Sequence, residues 1–284
     1  MNKLALGLVG LMLMLFSCSS DSSGSDSPVV VAPSALVKKI TTSDSAGKLL
    51  VTTTFSYDGN KIVSESWKQN SFSMGTDIGY SYRMDYSYTG NLITNKRIYV
   101  TPLGYTERQI IKIDYVYDSN GDLISSVEEH YLENYKTILK ILYIKIDNNT
   151  QDFKIFLTDS RDNIETPYQN GKIFFDANRN IIKMAYSEEE GYFSTLVYDL
   201  KSNPKKNILG YNKIIYFGLP TNFNLHPLIP HLDRSNNILK MNIPGYYPTK
   251  NQYTYNTNGY PIERKEYYEY NGDKLNAIFQ YFYE

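Results

Sequence analysis

The chain is expected to fold as an all-β protein, a repetitive antiparallel β-hairpin meander forming an extended, twisted sheet, with one irregular Pro-containing excursion. Three observations predict this. Tyrosine is the compositional outlier, at 28 of 284 residues, and aromatic residues favour strands. Long stretches alternate apolar and polar residues with the period of two that marks a half-buried strand. An Asp/Asn/Gly turn signal also recurs along the chain, and Asn and Gly tolerate the positive φ that tight hairpins require.

The first residues read as an address rather than as fold. Lys3 gives a short basic start, Leu4 to Phe16 is apolar, and Leu15-Phe16-Ser17-Cys18 closes the run. A membrane-spanning helix needs about 20 apolar residues, whereas a shorter run behind a basic start reads as an export signal. Leu15 to Cys18 resembles the lipobox of bacterial lipoproteins, which implies a signal peptide over 1–17 and a lipid (palmitate among its acyl chains) on Cys18. Ser19 after the lipidated residue implies, by the same resemblance, sorting to the outer membrane. Residues 18–35, rich in Ser and Asp, read as a flexible tether. Cys18 is the only cysteine, so no disulfide or thiolate metal site is expected beyond it.

The repeat domain is expected over 36–284. Its clearest copies begin at Tyr57-Asp58-Gly59-Asn60, Tyr88-Thr89-Gly90-Asn91, Tyr117-Asp118-Ser119-Asn120-Gly121, Tyr255-Asn256-Thr257-Asn258-Gly259 and Tyr270-Asn271-Gly272-Asp273. Weaker copies begin at Ile146, Phe175, Tyr198 and Leu232. The anchors 57, 88, 117, 146 and 175 are 31, 29, 29 and 29 residues apart, room for two strands and two turns per period. Tight turns are expected near 58–60, 89–91, 118–121, 256–259 and 271–273. Longer connections are expected at Gln69–Gly79, Thr101–Thr106, Glu133–Lys136 and Asp159–Gly171. Alternation places Tyr80, Tyr82, Met84, Tyr86 and Tyr88 on one face. The excursion, about 200–237, holds Pro204, Pro220, Pro227 and Pro230, which cannot join a central strand.

At its turns the chain resembles the YD-repeat style of Rhs and teneurin proteins, and more closely the short YD-like lipoproteins of Bacteroidetes. Tyr117-Asp118 through Leu123, Tyr255-Asn256 through Gly259 and Lys201-Ser202-Asn203-Pro204-Lys205-Lys206-Asn207-Ile208 carry the likeness. The resemblance implies hairpin sheets and an envelope address, and no reaction. The chain departs from the large Rhs proteins in being short and in lacking a toxin tip.

Chemistry is sparse. The net charge is −1, from 29 basic and 30 acidic residues, which gives no field for nucleic acid. His226 and His231 sit in a proline-rich run whose spacing matches no zinc signature, so no metal and no cofactor are expected. Adjacent strand residues face opposite ways, so Glu129 cannot converge with its neighbours Glu128 and His130. Glu188-Glu189-Glu190 reads as a solvated turn. No catalytic residue is expected.

The expected function is that of an envelope lipoprotein, anchored through Cys18, that binds or scaffolds a glycan or an envelope protein. The alternative is a hydrolase-like enzyme with a site in 200–237. The candidate binding residues are Trp67, as a stacking platform, and Tyr246, Tyr247, Tyr267 and Tyr268, as paired tyrosines that place one ring on each face of a strand.

Overall fold

The computed structural model describes residues 35–69, 79–132, 134–186, 193–215, 235–270 and 272–284. The signal and tether readings, Cys18 included, lie outside them, as do His226, His231 and Glu188–Glu190. The described residues form one unit starting at Ala35.

The strands are β1 Val37–Asp44, β2 Leu49–Asp58, β3 Lys61–Gln69, β4 Tyr80–Thr89, β5 Leu92–Pro102, β6 Arg108–Tyr117, β7 Leu123–Tyr131 and β8 Lys136–Lys145. They continue as β9 Thr150–Asp159, β10 Glu165–Phe175, β11 Ile181–Ala185, β12 Phe193–Ser202, β13 Asn236–Asn242, β14 Thr249–Tyr255, β15 Pro261–Glu269 and β16 Asp273–Tyr283. The one helical element among the described residues is a 3₁₀ turn, Tyr211–Lys213.

Each strand pairs antiparallel with its sequence neighbours, as the meander predicts, but the sheet is not open. β1 pairs with β16, from Val37 opposite Tyr283 to Asp44 opposite Ala277, closing a barrel. This corrects the expectation of an extended sheet. Closure removes the two unpaired edges that an open meander would leave, and nothing in a 29-residue local repeat encodes it.

The repeat has a physical meaning in the barrel wall. The ladder slips by one residue at Ser56/Tyr57, Ser87/Tyr88, Val116/Tyr117, Phe174/Phe175 and Thr254/Tyr255. A bulge of this kind bends a strand and sharpens its twist. The anchor tyrosine then points inward, and its hydroxyl ties its strand to an earlier one. Tyr57 donates to the Val37 carbonyl at 2.7 Å, Tyr117 to Ile93 at 2.7 Å, Tyr198 to Ile181 at 2.9 Å and Tyr283 to Pro261 at 2.7 Å. Tyr88 accepts from the Ile62 amide at 3.1 Å. Where the anchor is Ile146, Gln151 replaces the tyrosine and donates to the Leu123 carbonyl at 3.2 Å.

The residue after the anchor builds the turn. Asp118 Oδ1 accepts from the amides of Asn120 and Asp122, and Asn256 Oδ1 from those of Asn258 and Tyr260. These Asx turns replace backbone partners with a side chain.

Two turn expectations are corrected. Only 160–164 connects β9 to β10, because β10 already starts at Glu165 and accommodates Pro167 at a register shift. The turn between β15 and β16 lies at the end of the barrel opposite the tight Asn/Gly turns, since each strand reverses the direction of the last.

The core lies inside the barrel. Ile62, Ile93, Ile113, Ile141, Phe153 and Ile173 are fully buried, each worth roughly 2 kcal/mol of transfer free energy. Tyr80, Tyr82, Met84, Tyr86 and Tyr88 share this inner face, as expected. The outer face is polar at mid-strand, while Val63, Val116, Ile124, Ile144, Ile182 and Ile262 are exposed apolar side chains toward the tight-turn end. Outward Asp85, Arg97, Lys112 and Glu129 stand in register across β4 to β7. Arg83 pairs with Asp85 and Glu107, Lys112 with Asp114, Lys172 with Asp152, Lys240 with Glu269 and Lys250 with Asp273.

Candidate functional site

The two ends of the barrel differ. The end with the tight turns is covered from inside by residues 203–215, the described half of the excursion. Asn207 Nδ2 donates to the Ala35 carbonyl and to the Tyr260 hydroxyl, the Leu209 amide donates to the Asn60 carbonyl, and Tyr88 donates to the Leu209 carbonyl. Lys213 lies 3.6 Å from Asp122 on the β6–β7 turn. The segment therefore touches Ala35 just ahead of β1 and the β14–β15, β2–β3 and β6–β7 turns, and lies across the mouth. Its own Ile208, Tyr211, Ile214 and Ile215 are buried in the core. The excursion is thus a plug over its described part, not a loop on the outside. Gly210 permits the close approach: its φ is +72°, and a Cβ there would meet the Asn91 carbonyl oxygen at 2.7 Å.

The plug delivers Lys205 into an ionic cluster in the barrel interior. Lys205 Nζ lies 3.4 Å from Glu65 Oε2 and 3.0 Å from the Tyr211 hydroxyl, and Tyr86 donates to the same Glu65 oxygen at 3.3 Å. Lys96 on β5 is fully buried with its Nζ 5.7 Å from the centre of the Tyr86 ring. Glu128 and His130 on β7 are buried and lie 3.3 Å apart. Burial pushes the Lys96 amine down to about 7; Glu65 and Glu128 oppose that shift, while Lys205 adds to it. Burial also raises Tyr86, and Glu65 beside it adds to that shift. Charges taken this far from water persist only when paired, and here the pairing joins wall to plug.

Sequence reasoning missed this cluster. Glu129 does face outward, toward Tyr131 and Lys136, as expected. Glu128 and His130, two residues apart, share the inner face. A signal was present: Lys96 has the parity of inward Ile98 and Val100, a cation in an apolar stripe.

The opposite end carries an aromatic rim. Trp67 and Tyr82 stack at 4.1 Å with planes 15° apart, and Tyr80 lies 6.3 Å from Tyr82. All three are inward-facing and half-buried. Tyr247 and Tyr270 meet at 4.5 Å. Tyr267 faces outward and donates to Gln252, while Tyr268 faces inward opposite Thr249, as the paired-tyrosine argument requires. That argument fails for Tyr246 and Tyr247, which lie in the β13–β14 connection, where no strand alternation applies; both are exposed, at 58% and 57%. Tyr105, on the β5–β6 connection at the same end, is 76% exposed. No group of three metal-ligating side chains occurs among the described residues.

Fold and site define a sixteen-stranded antiparallel barrel with a largely apolar interior that encloses one ionic cluster, one plugged mouth and one aromatic mouth. No protein-family model and no curated protein matches the chain. Among solved structures it is similar to a porin-like protein from Bacteroides uniformis ATCC 8492, with TM-score 0.47, 12% identity and coverage of 87% of this chain and 98% of that one. A porin-like protein from Bacteroides vulgatus ATCC 8482 gives TM-score 0.47 at 14% identity, covering 88% and 99%. The Photorhabdus luminescens Tc holotoxin pore gives TM-score 0.24 at 14% identity, covering 81% of this chain and 12% of that one.

Proposed function

We propose that the protein is a lipid-tethered barrel of the bacterial outer membrane that stands in water beside the bilayer and binds an envelope glycan or protein at its aromatic mouth. The polarity of the wall carries this reading. A membrane-spanning barrel presents an apolar band about 25 Å tall to lipid and a polar lumen. At mid-strand the arrangement is reversed, with Ile and Phe inside around one buried ionic cluster and Arg83, Asp85, Arg97, Lys112, Glu129 and Lys172 outside; the outward apolar residues Val63, Val116, Ile124, Ile144, Ile182 and Ile262 are confined to the tight-turn end. Surface pairs of this kind add little stability, about 0–1 kcal/mol each. Their consequence is a hydrated wall. Attachment to the membrane then falls to Cys18 and its lipid.

The test is fractionation of cells expressing Cys18→Ser. Complete release of folded protein into the soluble fraction is expected. A barrel that stays with the membrane after losing its lipid would overturn the proposal. Binding at the rim is tested by glycan-array and cross-linking assays of the released protein; loss of the partner on combined Tyr247→Ala and Tyr270→Ala substitution supports the assignment, and unchanged binding overturns it.

A further inference from the structure

A cleft with three cationic side chains lies at the plugged end. A cleft of about 110 Å³ opens between the plug and three successive turns, lined by Lys213 and Ile215 of the plug, Asp122, Lys145 and Asp147 of the wall, and Arg179 of the β10–β11 turn. Asp122 is already held between Lys145, at 2.9 Å, and Lys213, at 3.6 Å, which keeps its carboxyl below the ordinary range. Asp147 Oδ1 accepts from the Asn149 amide of its own turn. Among the lining residues, three cations stand with two carboxylates, a net charge of one positive; Lys145 and Lys213 share Asp122, and Arg179 has no carboxylate partner among the described residues.

Arg179 is the telling residue. The turns 44–48, 118–122, 176–180 and 256–260 are built alike. In each the fourth residue donates its amide to the carbonyl of the first, and the first donates to the carbonyl of the fifth. The fourth residue is Gly47, Gly121 and Gly259 in three of them, at φ of +83°, +72° and +77°; in the remaining one it is Arg179, at φ +64°. A left-handed backbone is free to glycine and strained for a side chain carrying Cβ. Strain of this kind persists where something holds it and often accompanies function. Arg179 Nη1 donates to the Asn148 carbonyl, and the guanidinium stacks over Phe175 at 4.1 Å. Both contacts fix the guanidinium at the cleft and leave Nε and Nη2 as donors.

We infer that this cleft binds a phosphate group, held by Arg179 with Lys145 and Lys213. A tetrahedral dianion offers an oxygen to each of the three cations that line the cleft, and a guanidinium fork with two open donors suits its oxygens. The phosphate is carried by a soluble ligand or by a phospholipid headgroup. The site is at the opposite end from the aromatic rim and does not depend on what the rim binds.

The test uses the full-length chain with Cys18→Ser, titrated calorimetrically with inorganic phosphate at pH 7.5, and sedimented with vesicles of phosphatidylcholine containing phosphatidylglycerol. The decisive variant is Arg179→Gly, which installs the residue of the sister turns. It is expected to unfold at the same or a higher temperature than the parent, while its affinity for phosphate falls at least tenfold. Saturable phosphate binding without vesicle binding assigns a soluble ligand; vesicle binding lost in Arg179→Gly assigns a headgroup. Absence of binding to either probe, or binding that Arg179→Gly leaves intact, overturns the inference.

Discussion

The Tyr117 hydroxyl donates to the Ile93 carbonyl across 2.7 Å and so binds one repeat to the repeat before it. The same relation joins Tyr198 to Ile181, Tyr57 to Val37 and, in the last hairpin, Tyr283 to Pro261. The tyrosine that defines the repeat is therefore an inter-repeat latch set just past a bulge.

Removing one latch leaves a buried carbonyl without that donor, which typically costs about 1–3 kcal/mol. Tyr117→Phe is expected to lower the urea midpoint accordingly. Tyr267→Phe, which loses only an outward contact to Gln252, is expected to stay within about 0.5 kcal/mol of the parent. Equal effects from the two would contradict the latch.

The interior amine predicts the response to pH. Lys96 is held at about 7 when folded, against 10.5 when free. Below pH 7 it is charged in both states, and the penalty of burying the charge is felt in full. Between pH 7 and 10.5 the unfolded chain binds the extra proton, so the Lys96 contribution to stability rises through that window and levels off above it. Lys96→Met should flatten this rise and stabilise the protein most at pH 6, read from denaturant midpoints at pH 6 and pH 9. A steeper rise in the variant would contradict this.

The tyrosines set the alkaline limit, with the opposite sign. Burial raises Tyr88 to about 12, and it raises Tyr57 and Tyr283 as well. Above pH 10 the unfolded chain loses these protons first, so stability held below pH 10 falls as pH climbs toward 12. Cooperative unfolding in that window, with the last part of the tyrosinate absorbance appearing together with loss of the β signal in circular dichroism, is the expected result. Complete tyrosinate absorbance with the β signal intact would count against it.

Gly210 tests the plug. An alanine there meets both the positive φ and the Asn91 carbonyl at 2.7 Å, so Gly210→Ala is expected to cost about 2 kcal/mol or more. Gly47→Ala shares the positive φ but has open space around it, so only the backbone strain, about 1 kcal/mol, should appear. Limited proteolysis should cut Gly210→Ala faster within 203–215 than Gly47→Ala. Identical digestion of the two would mean that the plug is not seated through Gly210.

Strands, turns and the inward stripe were legible in the sequence because each depends on residues a few positions apart. Alternation assigns Tyr80 to Tyr88 to one face, and Asp118 or Asn256 builds its turn from its own side chain. The tertiary structure alone decided the rest. Closure pairs Thr41 with Gln280, and the ionic cluster joins Lys205 to Glu65, 140 residues apart. Tyr246 and Tyr247 escaped the strand rule because the alternation ends at Asn242. Local patterns record which way a side chain points; whether the sheet curls until its edges meet, and which segment then fills the mouth, depends on bulge curvature summed over sixteen strands, a quantity no single repeat contains.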